Sequence, residues 1–257
     1  MLDSIINIKR EEIKLLKKEL KIEKYFPGLD NRKFLDSLKR ENGVISVIAE
    51  VKKASPVKGV LCNQFDPVEL ADIYEKNGAT AISVITDNKY FLGEKEYLSL
   101  VKKTVDVPIL RKDFIIDELQ LYETAVLGAD AVLLISRILD YNVLLNLVEK
   151  CFKLGVEPFV EVHDRADINK CLDTPVKVIG INNRNLKDFT VSIDSTLELI
   201  EYIPNSIVKV SESGIKSQRD LVLLEKAGVN AVLVGESIVV ADNIPAKVKE
   251  LAYYREA

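Results

Sequence analysis

The sequence contains little cysteine, and its three cysteines lie far apart. Cys62, Cys151 and Cys171 have none of the spacings that are typical of metal ligands. An odd number of cysteines is also a poor framework for disulfide bonds. We therefore expect free thiols, buried or partly buried, in a protein from a reducing compartment, and we expect no metal site.

Long apolar runs and a large excess of positive charge are missing as well. No run approaches the roughly 20 apolar residues that a membrane-spanning helix needs. The N-terminal residues MLDSIINIKREE carry too many charges for a signal peptide. The 40 acidic residues outnumber the 36 basic ones, for a net charge of −4. These absences predict a cytoplasmic protein that binds neither membranes nor nucleic acid. Any anion that it binds must be held by a local site rather than by a broad positive surface.

The 257 residues do contain a regular alternation of apolar runs and helical patterns, and 47% of them are apolar, enough for a sizeable core. The predicted strands are residues 44–51, 81–85, 107–110, 131–135, 158–162, 176–181, 207–210 and 231–234. The predicted helices are residues 67–76, 96–104, 118–127, 141–154, 165–172, 195–202, 217–227 and 245–254. Eight such units in about 250 residues indicate an α/β fold, a closed (β/α)8 (TIM) barrel.

Two further features support the barrel. An open doubly wound sheet is the alternative, but its GxGxxG fingerprint is missing after the first strand. A glycine follows four of the predicted helices, where a left-handed residue can end a helix: Gly78, Gly128, Gly155 and Gly228.

A helical extension precedes the barrel. Residues 3–24 place Ile and Leu at mostly helical spacing among Lys and Glu, with Asp3 or Ser4 as a possible cap. Residues 26–28 (Phe-Pro-Gly) end this helix, and residues 31–40 predict a second, short helix before a turn at 41–43. We expect one domain over 1–257, in which an extension over 1–42 covers one end of a barrel over 43–257. Binding of a partner is the less favoured role for the extension.

Ionisable residues follow the predicted strands. In the stretch IAEVKKASPVKG, Glu50 and Lys52 share one face at the end of the first strand. Such a pair is either an ordinary solvated strand end or part of a site. Other strands are followed by Thr86, Asp87, Arg111, Lys112, Asp113, Ser136, Arg137, Glu161, His163, Asp164, Asn182, Arg184 and Glu212. Because active sites of (β/α)8 barrels lie at the C-terminal ends of the strands, we expect the site at this rim.

The last two strand ends predict a phosphate site. Ser213-Gly214 precedes one helix, and Gly235-Glu236-Ser237 follows the eighth strand. Glycine lets the backbone approach an anion, and the N-terminus of a helix favours negative charge. Ser55 can add a donor from the first strand. The alternative is that these glycines only form tight turns.

Lys52, Lys112 and Glu161 are the candidates for proton transfer. We expect a semi-buried lysine with a pKa lowered towards neutrality and a carboxylate with a raised pKa. A Schiff-base lysine, as in a barrel aldolase, is the alternative use of either lysine. His163 lies where the strand should already be turning, and we interpret it as a loop residue rather than a catalytic group.

Seven ordered motifs resemble those of indole-3-glycerol phosphate synthase: IAEVKKASPVKG, SVITDNKYFLGEKEYL, VPILRKDFI, VEVHD, GINNRNL, VSESGI and VGES. The resemblance covers residues 47–237, and the helical N-terminus resembles that family's extra segment. It implies conversion of 1-(2-carboxyphenylamino)-1-deoxyribulose 5-phosphate to indole-3-glycerol phosphate in tryptophan biosynthesis, with loss of CO2 and water. It also implies a carboxy-lyase without a metal or organic cofactor. We expect a monomer or a weak homodimer.

The resemblance also implies roles for individual residues. Lys112 resembles the general acid of ring closure, Glu161 the acid/base group of dehydration, and Lys52 a lysine near the substrate carboxylate. Which lysine serves which step stays open. The implied substrate-binding residues are Glu50, Asn182, Arg184 and Glu212 as orienting groups, Ser55, Ser213, Gly214, Gly235, Glu236 and Ser237 at the phosphate, and Phe91 and Phe114 around the anthranilate ring.

Two positions depart from the family pattern. Val57 replaces a serine of SPSKG, and Glu94 replaces a serine of the FxGS pattern. We expect both changes to affect loop order or affinity and to leave the proposed catalytic groups in place. The remaining alternatives are another sugar-phosphate barrel enzyme, either an isomerase or an aldolase, and a non-catalytic barrel that binds a sugar phosphate.

Overall fold

The structure is a computed structural model that describes residues 2–19, 32–39, 43–185 and 189–254. Within these ranges the strands are β1 (Ser46–Val51), β2 (Ala54–Ser55), β3 (Gly59–Val60), β4 (Ala81–Ile85), β5 (Ile109–Lys112), β6 (Ala131–Ile135), β7 (Glu157–Val162), β8 (Val178–Asn182), β9 (Val208–Glu212) and β10 (Ala231–Val234). Parallel pairing runs β1-β10-β9-β8-β7-β6-β5-β4, and β4 pairs back to β1. The sheet is therefore closed, and the predicted (β/α)8 barrel is confirmed.

Helices connect the strands on the outside of the barrel. They are α1 (Leu2–Glu19), α2 (Phe34–Ser37), α3 (Pro67–Lys76), α4 (Asn88–Phe91), α5 (Glu96–Thr104), α6 (Glu118–Val126), α7 (Tyr141–Lys153), α8 (Arg165–Leu172), α9 (Asp194–Leu199), α10 (Gln218–Lys226), α11 (Glu236–Val239) and α12 (Ile244–Ala252). Asp66, Asp117 and Asp164 cap α3, α6 and α8 by accepting hydrogen bonds from backbone N–H groups. The four glycines predicted to end helices all have positive φ angles.

The core has two layers. Apolar residues on the outer faces of the strands pack against the helices, and a smaller set fills the barrel itself. Phe34 and Leu38 of the extension join this inner set, and the Phe34 ring lies 6.3 Å from that of Phe159. This second part of the extension therefore closes the end of the barrel where the strands begin, which leaves the opposite end for a site.

The strand boundaries differ slightly from the prediction. The first strand was predicted over residues 44–51, and β1 covers Ser46–Val51. Lys52 and Lys53 follow the strand, where the backbone turns into the β2–β3 hairpin. The sixth and seventh predicted strands extend further than expected and gain a polar end, because β8 includes Asn182 and β9 includes Glu212.

The predicted extension is only partly described. Its first helix is present over Leu2–Glu19, and the second occupies Phe34–Ser37. The predicted continuation over 20–24, the Phe-Pro-Gly stop at 26–28 and most of the turn at 41–43 lie outside the described residues. The boundary between extension and barrel at residue 42 stays a prediction.

Two expectations about composition can be compared with the structure. Cys151 and Cys171 are buried free thiols and Cys62 is partly buried, as predicted. Burial raises the pKa of the Cys171 thiol to about 12, so it stays protonated. In the described ranges, no helix combines the length and apolarity that crossing a membrane would require.

Candidate active site

A buried group of charges lies inside the barrel where the strands end. We call it the inner cluster, and it consists of Glu50, Lys52, Lys112, Glu161 and Glu212. Lys112 ends β5, and its Nζ lies 3.1 Å from Glu212 Oε2, 3.6 Å from Glu50 Oε1 and 4.0 Å from Glu161 Oε2. The three glutamates come from β9, β1 and β7, so the closure of the sheet brings them around one ammonium group.

The second lysine completes the inner cluster. Lys52 Nζ lies 3.4 Å from Glu50 Oε2, and it also lies 5.6 Å from the centre of the Phe91 ring. Glu50 therefore stands between the two lysines, one on each carboxylate oxygen. The structure thus brings Lys52, Lys112 and Glu161, the three residues proposed for proton transfer, to one mouth of the barrel.

Two glycines, one inside β8 and one just after β10, leave the space that the buried carboxylates occupy. A Cβ atom on Gly180 would lie 2.3 Å from Glu212 Oε1, and one on Gly235 would lie 2.4 Å from Glu50 Oε2. Any larger residue would displace these glutamates. Gly180 was missed by the sequence analysis, although a glycine inside a predicted strand is itself a signal of close approach.

The pKa values of the three glutamates shift in different directions, according to whether burial or the neighbouring lysines prevail. For Glu161 and Glu212, burial is the largest effect, and it outweighs the attraction of Lys112. It therefore raises the pKa of Glu161 above its ordinary value and the pKa of Glu212 to about 7. For Glu50, burial also opposes ionisation, but Lys52 and Lys112 together outweigh it and lower the pKa.

Lys112 does not have the lowered pKa that we expected. Burial lowers the pKa of this ammonium group, but Glu212, Glu50 and Glu161 together raise it further, so the net shift is upward. The expectation was wrong because sequence spacing could not show three carboxylates converging on one lysine. Lys112 is thus a fully protonated group in the protein without substrate.

A second group of charges lies next to the first, on the outer side of β5. We call it the outer cluster, and it consists of Lys9, Asp87, Arg111, Asp113 and Glu123. Lys9 of α1 is 1% exposed, and its Nζ lies 3.0 Å from Asp87 Oδ2 and 2.9 Å from Asp113 Oδ1. Arg111 contacts Asp113 at 3.1 Å and Glu123 at 2.8 Å. The extension is therefore attached to the rim by a buried ion pair.

The two acids bound by Lys9 organise the loops that carry Phe91 and Phe114. Asp87 caps the short helix α4 by accepting a hydrogen bond from the Tyr90 N–H, and Asp113 accepts one from the Phe114 N–H. The two phenylalanine rings lie 6.3 Å apart and form one wall of the mouth. Sequence analysis missed Lys9, although its spacing of four residues from buried Ile5 placed it on the apolar face of α1.

The predicted phosphate loops have an unusual backbone. Ser213 and Gly214 have φ angles of +67° and +81°, a region that non-glycine residues rarely adopt. In the described part of the chain, no group accepts a hydrogen bond from the N–H of Gly214 or Ile215. Ser237 Oγ donates to the Ile215 carbonyl at 2.8 Å and so joins the two loops.

The other predicted phosphate residues are engaged with the hairpin. Ser55 Oγ accepts a hydrogen bond from the Lys58 N–H, and Lys58 Nζ lies 2.6 Å from Glu236 Oε1. Glu236 therefore holds the hairpin rather than facing the loop of Ser213 with its carboxylate. The structure offers backbone N–H groups, not this side chain, for an anion.

The residues after β8 hold the neighbouring loops. Asn182 Oδ1 accepts a hydrogen bond from the Arg184 N–H, and hydrogen bonding between Asn182 and Glu161 opposes the upward pKa shift of that glutamate. The Arg184 guanidinium donates to the Phe189 carbonyl at 3.4 Å. Asn183, which was not among the predicted site residues, donates to the Ser213 carbonyl at 2.9 Å and supports the phosphate loop.

His163 follows β7, as predicted, but its ring is not exposed. The side chain is 4% exposed, and Nε2 lies 3.3 Å from Glu161 Oε1. Burial and the charge of Arg137 lower the pKa of this imidazole. The interpretation of His163 as a mere loop residue therefore missed its contact with the inner cluster. The spacing of two residues from Glu161 along a strand was the available signal.

The chain was compared with known proteins. The family model for indole-3-glycerol phosphate synthase matches residues 2–251. The indole-3-glycerol phosphate synthase of Geobacillus sp. (strain WCH70) is 45% identical over 253 residues, covering 98% of this chain and 96% of that protein. That of Alkaliphilus metalliredigens (strain QYMF) is 41% identical over 256 residues, with 98% and 97% covered. The structure of 3-hexulose-6-phosphate synthase from Salmonella typhimurium, 13% identical, has a TM-score of 0.64 over 81% of this chain and 97% of that chain, a likeness of fold alone.

Proposed function

We propose that this chain, which belongs to the indole-3-glycerol phosphate synthase family, closes the indole ring of its substrate with the inner cluster. The reaction converts 1-(2-carboxyphenylamino)-1-deoxyribulose 5-phosphate to indole-3-glycerol phosphate, CO2 and water. The observation that carries the assignment of residues is the position of Lys112 within 4.0 Å of three buried carboxylates at the mouth of the barrel.

Lys112 acts as the general acid of ring closure. The aromatic carbon that bears the carboxylate attacks the ketone carbon, and the ketone oxygen takes a proton from the Lys112 ammonium group. Loss of CO2 then restores the aromatic ring. The raised pKa of Lys112 ensures that the proton is present when substrate arrives, and neighbouring carboxyl groups can return a proton afterwards.

Glu161 serves the dehydration that follows. The hydroxyl group formed in ring closure leaves as water, and a proton is lost from the adjacent carbon to form the indole double bond. A carboxyl group with a raised pKa holds its proton at higher pH than an ordinary glutamate and can act as acid as well as base, which suits Glu161. Lys52 lies across Glu50 from Lys112 and next to the Phe91 ring, where it would contact the substrate carboxylate.

The two ends of the substrate are held by different parts of the mouth. The N–H groups of Gly214 and Ile215, together with the loop that begins at Gly235, face the phosphate, and Ser55 adds a hydroxyl. The Phe91 and Phe114 rings form the wall against which the anthranilate ring packs. Asn182 and Glu212 orient Glu161 and Lys112 respectively.

The raised pKa of Lys112 disfavours a Schiff-base aldolase. A lysine must be deprotonated to attack a carbonyl carbon, and three carboxylates within 4.0 Å oppose that deprotonation. Borohydride treatment in the presence of substrate should therefore leave no lysine adduct.

The activity is tested by following indole fluorescence after addition of the carboxyphenylamino-deoxyribulose phosphate. We expect product over a range of pH around neutrality. Absence of product from folded protein at every pH would reject the proposed function, whatever the state of the inner cluster.

A further inference from the structure

We propose that His163 is a positioning residue that fixes the Glu161 carboxylate by donating a hydrogen bond from Nε2 to Oε1. This inference rests on the proposed role of Glu161 and adds a residue to it. In the described residues both ring nitrogens of His163 are buried without a hydrogen-bond partner, and buried polar atoms of this kind normally have one. Nε2 lies 3.3 Å from Glu161 Oε1, slightly outside hydrogen-bond geometry, so a small rotation of the ring closes this bond. The other oxygen, Oε2, lies 4.0 Å from Lys112 Nζ.

The backbone of His163 is held by a hydrogen bond to Asp167. Asp167 Oδ2 accepts a hydrogen bond from the His163 backbone N–H at 3.1 Å and another from Arg137 Nε at 3.2 Å. The Asp167 backbone N–H donates in turn to Asp164, the cap of α8. The backbone of His163 is therefore held by the start of α8, and the burial of the side chain, 4% exposed, limits the movement of the ring.

The surroundings decide which ring nitrogen carries the proton. In the described part of the chain, the ring nitrogens lie within 4.0 Å of only two carboxylates, those of Glu161 and Asp167. The distance from Nδ1 to Asp167 is 3.8 Å, too long for a hydrogen bond, whereas Nε2 is close to Glu161. A neutral ring has one N–H, and Nε2 is where it forms the better contact.

The charges around the ring favour its neutral form. Burial is the largest effect, and Arg137 adds to it. Asp164, Asp167 and Glu212 act in the opposite direction but do not reverse the shift. A neutral imidazole donates to Glu161 without adding a second positive charge beside Lys112, so it lowers the pKa of Glu161 less than an imidazolium would.

Two substitutions separate positioning from other roles. His163→Leu keeps most of the volume and removes the donor, whereas His163→Gln can place an amide N–H near the position of Nε2. We expect kcat to fall about 10- to 100-fold in the leucine variant, because a small displacement of a reacting group has effects of this order. We expect KM to change less than about twofold, and the glutamine variant to recover most of the lost kcat.

The pH profile gives a second readout. A donated hydrogen bond stabilises the ionised carboxylate, so its loss in His163→Leu should move the pKa of Glu161 upward. The corresponding limb of the kcat profile should move to higher pH. The same shift should appear in a carbon-13 NMR titration of the substrate-free protein, with Glu161→Gln used to assign the signal.

The outcomes are distinct. Wild-type kcat in His163→Leu, or a change confined to KM, would overturn the proposal. An equal loss in both variants together with disappearance of a pH limb would show that His163 itself exchanges protons, and would also overturn it. Ile168→Val, a buried change on α8, controls for packing, and thermal melting checks folding. If wild-type protein forms no product but the NMR shift appears, the proposed function fails and the positioning role stands.

Discussion

Strand β5 ends in two adjacent cations with opposite surroundings. Arg111 points outward and belongs to the outer cluster, whereas Lys112 points into the barrel and belongs to the inner cluster. Arg111 donates to Thr86, Thr124 and the Gln120 carbonyl as well as to its two acidic partners. The guanidinium is therefore almost saturated. Among the described residues, the Lys112 ammonium group has ion-pair contacts alone, at 3.1 to 4.0 Å.

The carboxyl groups of the two clusters differ in how their pKa values shift. Burial opposes ionisation of Asp113, but Arg111 and Lys9 outweigh it and hold the pKa of that carboxyl well below its usual range. In the inner cluster three carboxylates share two ammonium groups, and burial prevails at Glu161 and Glu212. The outer cluster is thus fixed in one charge state and stabilises the rim, whereas the inner cluster can take up and release protons.

The largest expected effect is on catalysis in Lys112→Met. Methionine keeps the apolar stem and removes the proton, so kcat should fall by about 10²- to 10⁴-fold with little change in substrate binding. Steady-state kinetics measures both quantities. Lys153→Met, an exposed change on α7, is the control. A rise in KM at unchanged kcat would remove Lys112 from the acid role.

Arg111→Met should affect stability instead. The substitution removes a fully buried cation that Asp113 and Glu123 share and leaves them with Lys9 and Lys95 alone, and breaking buried ion pairs costs about 3 to 5 kcal/mol of unfolding free energy. Denaturant unfolding gives this quantity, with the exposed Arg219→Met as control. If Lys112→Met were destabilised as much as Arg111→Met, the distinction between the two clusters would fail.

Lys9→Met tests whether the extension supports the site. Asp113 keeps Arg111, and Asp87 keeps the hydrogen bond from the Tyr90 N–H, so the loss should be smaller, about 1 to 3 kcal/mol. The loops of Phe91 and Phe114 lose their shared partner, so KM should rise more than kcat falls. Chemical denaturation and kinetics are compared with Lys14→Met, an exposed change on the same helix. Unchanged KM in Lys9→Met would show that the loops hold their positions without the extension.

The smallest effect is the pH dependence of stability in Glu212→Gln. Folding raises the pKa of Glu212 to about 7, so the folded protein binds this proton more tightly than the unfolded chain. That contribution is present below the ordinary glutamate pKa and is lost as pH rises through 7. The variant should therefore melt higher than wild type at pH 8 and show a smaller difference at pH 4. Glu149→Gln controls for the change in net charge, and an equal difference at both pH values would contradict the shift.

Much of this architecture was predictable from local patterns. The helices over Pro67–Lys76, Glu96–Thr104 and Arg165–Leu172 have the predicted bounds. The spacing of apolar residues and the signals that start and stop a helix depend only on residues that are close in sequence. The strands over Ala81–Ile85 and Ala131–Ile135 also agree. The rim could be predicted as well, since parallel strands expose their C-terminal ends together.

Contacts between distant residues were not predictable in this way. Lys9 lies 104 positions before Asp113, and Gly180 leaves space for a carboxylate 32 positions later, so no local pattern contains either contact. The direction of the Lys112 pKa shift failed for the same reason, because it depends on three strands that meet only when the barrel closes.

The order of apolar and polar residues by itself determined the eight-fold alternation, the polar ends of the strands and the two glycine loops, because each of these depends on near neighbours in the chain. Only the tertiary structure decided which oxygens face which nitrogens, how deeply each charge is buried, and therefore which groups hold their protons. These properties depend on distances of a few ångströms and on exclusion of water, and neither exists before the sheet closes.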